Sequence, residues 1–236
     1  MRYLALATDY DGTIARDGIV AASTLAAIDR LRASGRRLIL VTGRELEDLQ
    51  KTFPEYGRFD RIVAENGALA FNPATGATRL LAEPPPERLI AELRAAGVPL
   101  SVGRSIVATV EPHEDQVLAA IRALGLEWHV IFNKGSVMAL PSGVTKATGL
   151  TPTLAELGIP REHVVGVGDA ENDHAFLALC GCAVAVGNAL PALKDRADLV
   201  MDGIDGVGVS QLIDRMLKDD LHGIGRAPNV RVKPKE

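Results

Sequence analysis

Short apolar runs alternate with amphipathic stretches through the first third of the chain. Residues 3–8, 37–41 and 61–64 are apolar runs with the length of buried strands. Stretches with apolar residues at helical spacing, about residues 24–34 and 45–52, separate these runs. Strands that alternate with helices are typical of a parallel sheet with right-handed crossovers. The pattern therefore predicts an α/β core.

The alternation of single strands with single helices stops at the proline run of residues 84–86. Residues 87–96 and 113–124 are helical in spacing, and two short strand-like segments follow each of them. A repeated helix–strand–strand order predicts a small antiparallel sheet with helices on one face. We therefore expect an inserted α+β domain at residues 84–141, with linkers near Pro84 and at residues 141–143.

The parallel pattern resumes at Lys146 and continues to about residue 217. Buried strands are predicted at residues 163–167 and 182–186, each followed by a helical or turn segment. We therefore assign residues 1–83 and 142–218 to the core. Residues 219–236 are polar with little to bury, and they form either a loose terminus or the start of a linker.

A proline interrupts the helix that should carry Lys146. Thr151-Pro152 lies only five residues into that helix, and a proline inside a helix removes a hydrogen bond and can kink it. Two interpretations stay open. Either one kinked helix starts at Lys146, or a short turn holds Lys146 and the helix proper starts with Pro152 near its first position.

Composition excludes several partners. The chain is 47% hydrophobic with a net charge of −4 and 4% aromatic residues, so it has neither the basic stripe nor the stacking surface of a nucleic-acid-binding protein. No apolar segment is long enough to span a membrane, and the N-terminus does not resemble a signal peptide. Cys180 and Cys182 are interpreted as small core residues, which fits a cytoplasmic location.

Two carboxylates follow the first predicted strand directly. Asp9 and Asp11 lie at its C-terminal end, where open α/β sheets bind ligands, and extended backbone would point both the same way. Two like charges so close need a cation or a shared proton, and carboxylate oxygens suit Mg²⁺. An acidic surface turn is the alternative for this pair alone.

Reactive side chains follow the other parallel strands as well. Thr42, Asp169 with Asp173, and Asn188 lie at or just after strand ends, so they should converge with Asp9 and Asp11. Lys146 is a candidate counter-charge. Each residue alone also fits an ordinary structural role, such as a helix cap or a solvated surface cation. It is the ordered set of these residues at matching strand ends that is specific.

That set resembles the four motifs of the haloacid dehalogenase-like superfamily. The matching segments are residues 9–13, residues 42–44, Lys146 and residues 168–173. The insertion lies between the second and third motifs and resembles the cap of Cof-type, subclass IIB hydrolases, as do Asn66-Gly67 and Gly187-Asn188-Ala189. The resemblance extends to about Leu217. It implies a Rossmann-like parallel sheet with helices on both faces and a small α+β cap.

The resemblance also implies a phosphomonoester hydrolase that uses Mg²⁺. Asp9 would attack phosphorus and form an aspartyl-phosphate, and Asp11 would protonate the leaving alkoxide and then activate water. Mg²⁺ would be held by Asp9, the backbone carbonyl of Asp11 and Asp169, with Asp173 orienting the metal shell. The residues implied to bind the phosphoryl group are Thr42, Gly43, Lys146 and Asn172.

Candidate substrate contacts lie near the strand ends and in two cap turns. The core candidates are Arg44, Asn66 and Asn188, and the cap candidates are Arg104 and Lys134. For the two cap residues, solvated turn cations are the alternative. The expected partners are small phosphorylated metabolites such as sugar phosphates or phosphoglycolate, with no nucleic acid and no membrane. The sequence does not distinguish a monomer from a homodimer.

Two other functions compete with a phosphatase. A sugar phosphomutase would use the same site, and the resemblance allows it because the subclass includes phosphomannomutases. A regulatory module of the receiver type also carries a phosphorylated aspartate, but it lacks a cap and the acid expected at Asp11. Steady phosphate release from a generic ester would separate an enzyme from a binding module.

Overall fold

The computed structural model describes residues 1–133 and 135–224. The strands in these ranges are β1 (Ala5–Thr8), β2 (Ala15–Arg16), β3 (Ile19–Val20), β4 (Arg37–Val41), β5 (Arg61–Ala64), β6 (Leu69–Asn72), β7 (Ala77–Leu80), β8 (Ser101–Val102), β9 (Val107–Val110), β10 (Trp128–Asn133), β11 (Ser136–Pro141), β12 (Val164–Gly168), β13 (Cys182–Ala185) and β14 (Leu199–Val200). The α-helices are α1 (Ala22–Ala33), α2 (Leu46–Thr52), α3 (Glu87–Ala95), α4 (Glu114–Ala123), α5 (Lys146–Leu157), α6 (His174–Leu179), α7 (Pro191–Lys194) and α8 (Asp205–Asp219).

An eight-stranded sheet in the order β14-β13-β12-β1-β4-β5-β6-β7 forms the core. Its central strand β1 is buried along its whole length and pairs in parallel with β12 and β4, with Thr8 opposite Val167 and Leu40. A strand covered on both faces needs apolar side chains on both, which explains the continuous apolar run. The predicted α/β fold, a Rossmann-like core with an inserted cap, is confirmed.

The far edge of this sheet was not predicted. Strands β6 and β7 form a hairpin that pairs antiparallel with β5 and extends the otherwise parallel sheet. The chain reaches β6 without a crossover helix because residues 65–67 reverse it in a tight turn, in which Glu65 and Asn66 adopt positive φ. In β7 only Thr78 is half-buried and the other three residues are exposed, so the strand shows no buried apolar run.

A second sheet, in the order β10-β11-β9-β8, is antiparallel and belongs to the inserted segment. Helices α3 and α4 pack against each other and share an apolar core with this sheet. The members of that core include Leu89, Leu93, Val117, Ile121 and Val137. The boundaries proposed for this insertion, residues 84–141, stay a prediction.

Helix α5 corrects one interpretation of the sequence. It runs unbroken from Lys146 to Leu157 with Pro152 inside it, so no separate turn holds Lys146. The helix is capped by a reciprocal pair, in which the Thr148 hydroxyl accepts from Thr145 N at 2.9 Å and the Thr145 hydroxyl from Thr148 N at 3.3 Å. Pro152 cannot donate to the carbonyl of Thr148. Because Thr148 is exposed, solvent can satisfy that carbonyl.

The start of the predicted polar tail packs against the core. Asp220 accepts hydrogen bonds from the backbone amides of Arg2 and Tyr3, and Leu221 is buried. The remainder of the tail, residues 225–236, lies outside the described residues. Across residues 1–133 and 135–224, no helix has the length and apolar character needed to cross a membrane.

We predict that a methyl group added to α5 destabilises the protein. A Cβ on Gly149 would lie 2.5 Å from the Cα and 2.6 Å from the carbonyl oxygen of Gly67. Gly149→Ala should therefore lower the free energy of unfolding by about 1–3 kcal/mol, the usual cost of overpacking. Helix propensity alone would raise it by about 1 kcal/mol.

Urea unfolding measures this change. The matched control is Gly57→Ala, because a Cβ on Gly57 would meet no atom within 4 Å. The control should be close to neutral. A stabilised Gly149→Ala protein would mean that α5 can move away from Gly67 at no cost.

Candidate active site

Three buried aspartates meet at the C-terminal ends of neighbouring parallel strands. Asp9 follows β1 and Asp169 follows β12, and Asp9 N donates to Val167 O at 3.0 Å, which holds the two strand ends side by side. Asp173 completes the group from the turn before α6. One carboxylate oxygen from each residue lies within 4.8 Å of the others.

Lys146 lies among these carboxylates. Its Nζ is 2.5 Å from Oδ1 of Asp9 and 2.5 Å from Oδ1 of Asp173, and its side chain is 1% exposed. Lys146 reaches them because it is the first residue of α5 and the helix packs closely on residues 65–67 and on α6. The sequence-predicted counter-charge is therefore in contact with both aspartates.

Burial and neighbouring charges shift the pKa values of Asp9 and Lys146 in opposite directions. Burial raises the pKa of Asp9 to about 8, although the Lys146 ammonium opposes the rise. Burial also lowers the pKa of Lys146, but Asp173 and Asp9 outweigh it and the pKa is raised overall. One ammonium for three buried carboxylates leaves an excess of negative charge. Such a set of hard oxygen ligands fits a divalent cation such as Mg²⁺.

Asp173 organises the loop that carries Asp169. Its Oδ2 accepts from the backbone amides of Asp169 at 2.8 Å and Ala170 at 3.0 Å, while its Oδ1 contacts Lys146. Thr13 Oγ1 donates to Oδ1 of Asp169 at 2.9 Å. The predicted role of Asp173, orienting the metal shell, is consistent with these contacts and stays a prediction.

Asp11 pairs with Arg44 in a bidentate geometry. Arg44 Nε and a terminal nitrogen lie 2.7 and 2.8 Å from the two Asp11 oxygens, and the other terminal nitrogen contacts Asp48 at 2.6 Å. The guanidinium also lies 5.3 Å from the centre of the Tyr10 ring. The hydrogen bonds that Arg44 donates to Asp11 are the main cause of the raised pKa of Arg44. Arg44 therefore fixes the side chain of Asp11.

A cavity of about 470 Å³ lies between the strand ends and the cap. Core residues that line it are Asp9, Asp11, Gly43, Arg44, Glu45 and Asp48. Cap residues that line it are Ser101, Ile106, Ala108, Asn133, Ser136 and Met138. The floor thus carries the carboxylates of Asp9 and Asp11, and the roof is formed by small, polar and apolar side chains from the four cap strands.

The other core residues predicted for the site lie near this floor. Thr42 is fully buried and its hydroxyl accepts from Arg44 N at 3.1 Å. Asn172 donates to Oδ1 of Asn66 at 2.9 Å. Asn188 donates to the carbonyl of Gly12 at 2.7 Å, so it holds the loop after β1.

Of the two cap cations predicted to contact the substrate, the structure describes only Arg104. The Arg104 guanidinium donates to Glu47 at 2.7 and 2.9 Å, and Arg104 is not among the described residues that line the cavity. Its contact in this structure is therefore with the core helix α2. Lys134 lies outside the described residues.

Sequence reasoning missed several acidic residues near the site. Glu45 and Asp48 line the cavity, and Glu65 is fully buried beside the cap. The four-residue spacing of Arg44 and Asp48 was an available signal, because opposite charges at this spacing around the start of a helix can form an ion pair. Glu65 directly precedes the Asn66-Gly67 pair that the sequence had already marked.

Comparison with known proteins identifies the family. A family model described as haloacid dehalogenase-like hydrolase matches residues 6–94 and 105–213. The chain belongs to this family. The predicted enzyme class, a haloacid dehalogenase-type phosphatase, is confirmed. The resemblance to Cof-type, subclass IIB proteins is confirmed for the fold.

Two relatives of this hydrolase and one solved structure match it along almost their full length. Phosphoglycolate phosphatase 2 of Saccharolobus solfataricus is 27% identical over 220 residues, covering 91% of this chain and 92% of the relative. A phosphoglycolate phosphatase of Haloarcula marismortui is 31% identical over 229 residues, covering 88% and 95%. A solved subclass IIB sugar phosphatase superposes with a TM-score of 0.72 at 20% identity, covering 90% and 98%. At 20% identity, the similarity to the solved structure shows the fold alone.

We predict that the hydrolase depends on Lys146 for stability when no metal is bound. Lys146→Met keeps the length of the side chain but leaves Asp9 and Asp173 without their cation. Removing one partner of a buried ion pair costs about 3–5 kcal/mol, so the free energy of unfolding should fall by that amount near pH 9.

The loss should become smaller as the pH falls. A carboxyl whose pKa is raised by folding favours the folded state below its unfolded pKa and loses this contribution as pH rises through the folded pKa. For Asp9 that window runs from about 4 to about 8. Urea unfolding at about pH 5 and pH 9 in chelator measures the effect, with exposed Lys51→Met as the control. An equal deficit at both pH values would contradict the prediction.

Proposed function

We propose that this enzyme hydrolyses small phosphomonoesters with the help of Mg²⁺, by way of a phosphoryl group carried on Asp9. The observation that supports this most directly is the convergence of Asp169, Asp173 and Lys146 on Asp9, whose side chain lines the cavity under the cap. Buried carboxylates and one lysine beside a cavity suit phosphoryl transfer, which depends mainly on positioning and charge neutralisation.

The first half of the reaction uses Asp9 and Asp11. An oxygen of Asp9 attacks phosphorus and forms the aspartyl-phosphate, while the bond between phosphorus and the ester oxygen breaks. Asp11 gives its proton to the departing alkoxide. In this structure Arg44 donates hydrogen bonds to both oxygens of Asp11. The ion pair between Arg44 and Asp11 must therefore break or shift before Asp11 can donate a proton.

The second half returns the enzyme to its starting state. Asp11 takes a proton from a water molecule, and that water attacks phosphorus and breaks its bond to Asp9. Phosphate leaves and Asp9 is again a carboxylate. Thr42, Gly43, Lys146 and Asn172 are the residues that we assign to the phosphoryl oxygens, with Lys146 already in contact with Asp9.

The metal would be held by Asp9, the backbone carbonyl of Asp11 and Asp169, and Asp173 would support the loop. When bound, Mg²⁺ supplies positive charge that offsets the carboxylates and the phosphoryl group. The fit rests on the buried carboxylate cluster and its excess of negative charge over Lys146.

The size and lining of the cavity favour a small substrate. A volume of about 470 Å³ is at the small end for ligand sites, and the relatives include proteins named phosphoglycolate phosphatase. We therefore infer a phosphorylated metabolite of the size of phosphoglycolate or a sugar phosphate. The inserted cap argues against a receiver-type module, and no observation favours a phosphomutase. The cytoplasmic location stays a prediction.

The nucleophile is tested by Asp9→Asn. An amide cannot form the aspartyl-phosphate, so kcat should fall by at least about a thousandfold, or roughly 4 kcal/mol. The assay is phosphate release from phosphoglycolate, a set of sugar phosphates and a generic aryl phosphate. The control Asp17→Asn makes the same chemical change in the β2–β3 turn, where the positive φ of Asp17 suits asparagine. A residual rate above about one tenth would exclude Asp9 as the nucleophile.

Metal dependence is tested on the same substrates. Excess chelator should abolish turnover and Mg²⁺ should restore it. Ca²⁺ should bind but support little turnover, because its larger and looser coordination misplaces the reacting groups. Binding of each ion is measured separately by calorimetry. Full activity in chelator would contradict the metal assignment.

A further inference from the structure

Glu65 is a buried carboxylate that takes no part in the proposed reaction. It follows β5, is fully buried, and has a backbone φ of 52°. A residue with a long side chain rarely adopts this conformation, so its surroundings must hold it there. A buried charge must also find partners of its own.

The partners of Glu65 are backbone amides of the cap. One carboxylate oxygen accepts from Arg104 N at 3.1 Å and the other from Ser105 N at 2.7 Å. Two successive amides in a turn form a concave anion site. Gly103 allows the approach, because a Cβ there would lie 2.9 Å from the carboxylate. A core carboxylate therefore fills an anion site made by the cap.

A second contact holds the same cap turn from outside. The Arg104 guanidinium pairs with Glu47 of α2, and both side chains are nearly half exposed. Ser105 adds a hydrogen bond from its hydroxyl to the carbonyl of Ala82 at 3.0 Å. Exposed ion pairs contribute little to stability, whereas buried hydrogen bonds to a charged group contribute more. The hydrogen bonds to Glu65 should therefore hold the cap turn more strongly than the ion pair with Glu47 does.

The turn held by Glu65 joins two strands that shape the cavity. Gly103 N donates to Ile106 O at 2.9 Å and closes a hairpin made by β8 and β9. Ser101, Ile106 and Ala108 of this hairpin line the cavity above Asp9. Holding the turn in place thus sets the position of one cavity wall.

The segment that carries Glu65 also contacts the site itself. Glu65 N donates to Arg44 O and Asn66 N to Thr42 O, both at 3.0 Å. Asn66 bonds Asn172 through its side-chain oxygen. One short segment therefore touches the cap hairpin and the loops at the cavity floor.

We propose that Glu65 is a positioning residue whose carboxylate holds the hairpin β8–β9 closed over Asp9 and so fixes the wall that contacts the substrate beyond its phosphoryl group. The kinetic part of this inference rests on the proposed function, while the structural part does not. Burial raises the pKa of Glu65 and the two cap amides lower it, as expected for a carboxylate that depends on these donors.

Glu65→Gln is the decisive variant. Glutamine keeps the shape, but its NH₂ group would face one of the two cap amides, so at most one hydrogen bond survives. Glu47→Gln is the matched control, because it weakens the second contact with the same cap residue at the surface. Circular dichroism and thermal melting establish that both variants are folded.

The first measurement is hydrogen exchange of the amides of Arg104 and Ser105 in metal-free enzyme. We expect these amides to exchange at least about tenfold faster in Glu65→Gln and unchanged in Glu47→Gln. Equal exchange in Glu65→Gln and the wild type would overturn the proposal. This measurement needs no substrate and stays informative even if the proposed function fails.

The second measurement compares substrates. Glu65→Gln should raise KM for the best metabolite about tenfold with a smaller change in kcat, and leave kcat/KM for a small aryl phosphate within about twofold. Equal losses on both substrates, or no loss on either, would overturn the positioning role. A wild-type enzyme that releases phosphate from no ester would instead refute the proposed function.

A cap-side variant covers the case in which Glu65→Gln does not fold. Gly103→Ala leaves Glu65 intact but places a Cβ against its carboxylate and 2.6 Å from Cγ2 of Ile106. The same pattern of faster exchange and higher KM is expected. A folded Gly103→Ala protein with wild-type exchange and kinetics would overturn the proposal.

Discussion

The buried contact of Lys146 with Asp9 and Asp173 is the interaction on which the rest of the site depends. Charges inside a protein are costly unless each finds a partner at close range. Here one ammonium lies 2.5 Å from two carboxylates, because Lys146 is the first residue of α5 and the helix begins beside them. The glycine contact between α5 and the turn after β5 brings the helix that close. The packing of two glycines therefore helps to set where the ammonium group of Lys146 lies.

Under the proposed function, core and cap have different parts in recognising the substrate. The core gathers groups that would bind the phosphoryl group, which every phosphomonoester shares. The cap lines the same cavity with small, polar and apolar side chains from its own sheet, so the cap would distinguish one substrate from another. Residues 65–67 connect the two, since they contact the cap turn, the loop after β4 and the start of α5. Segments with unfavourable backbone often lie at such functional junctions.

Prediction from sequence succeeded where the signal is local and periodic. The buried strands β1, β4, β5 and β12 carry continuous apolar runs, and their ends carry the candidate residues. Prediction failed where tertiary contacts outweigh local preference. The hairpin β6–β7 has a weak apolar pattern and follows an unusual turn, and α5 continues through Pro152, next to a carbonyl that belongs to the exposed residue Thr148.

The sequence by itself determined which side chains stand at the ends of the parallel strands, because a strand end and its next residue are neighbours in the chain. It also determined the order of the motifs and the place of the insertion. Only the tertiary structure decided which charges meet. Arg44 pairs with Asp11, Arg104 pairs with Glu47, and the carboxylate of Glu65 accepts a hydrogen bond from a backbone amide of the cap turn. A long charged side chain has several partners within reach, and the choice among them is made by burial and distance after the chain has folded.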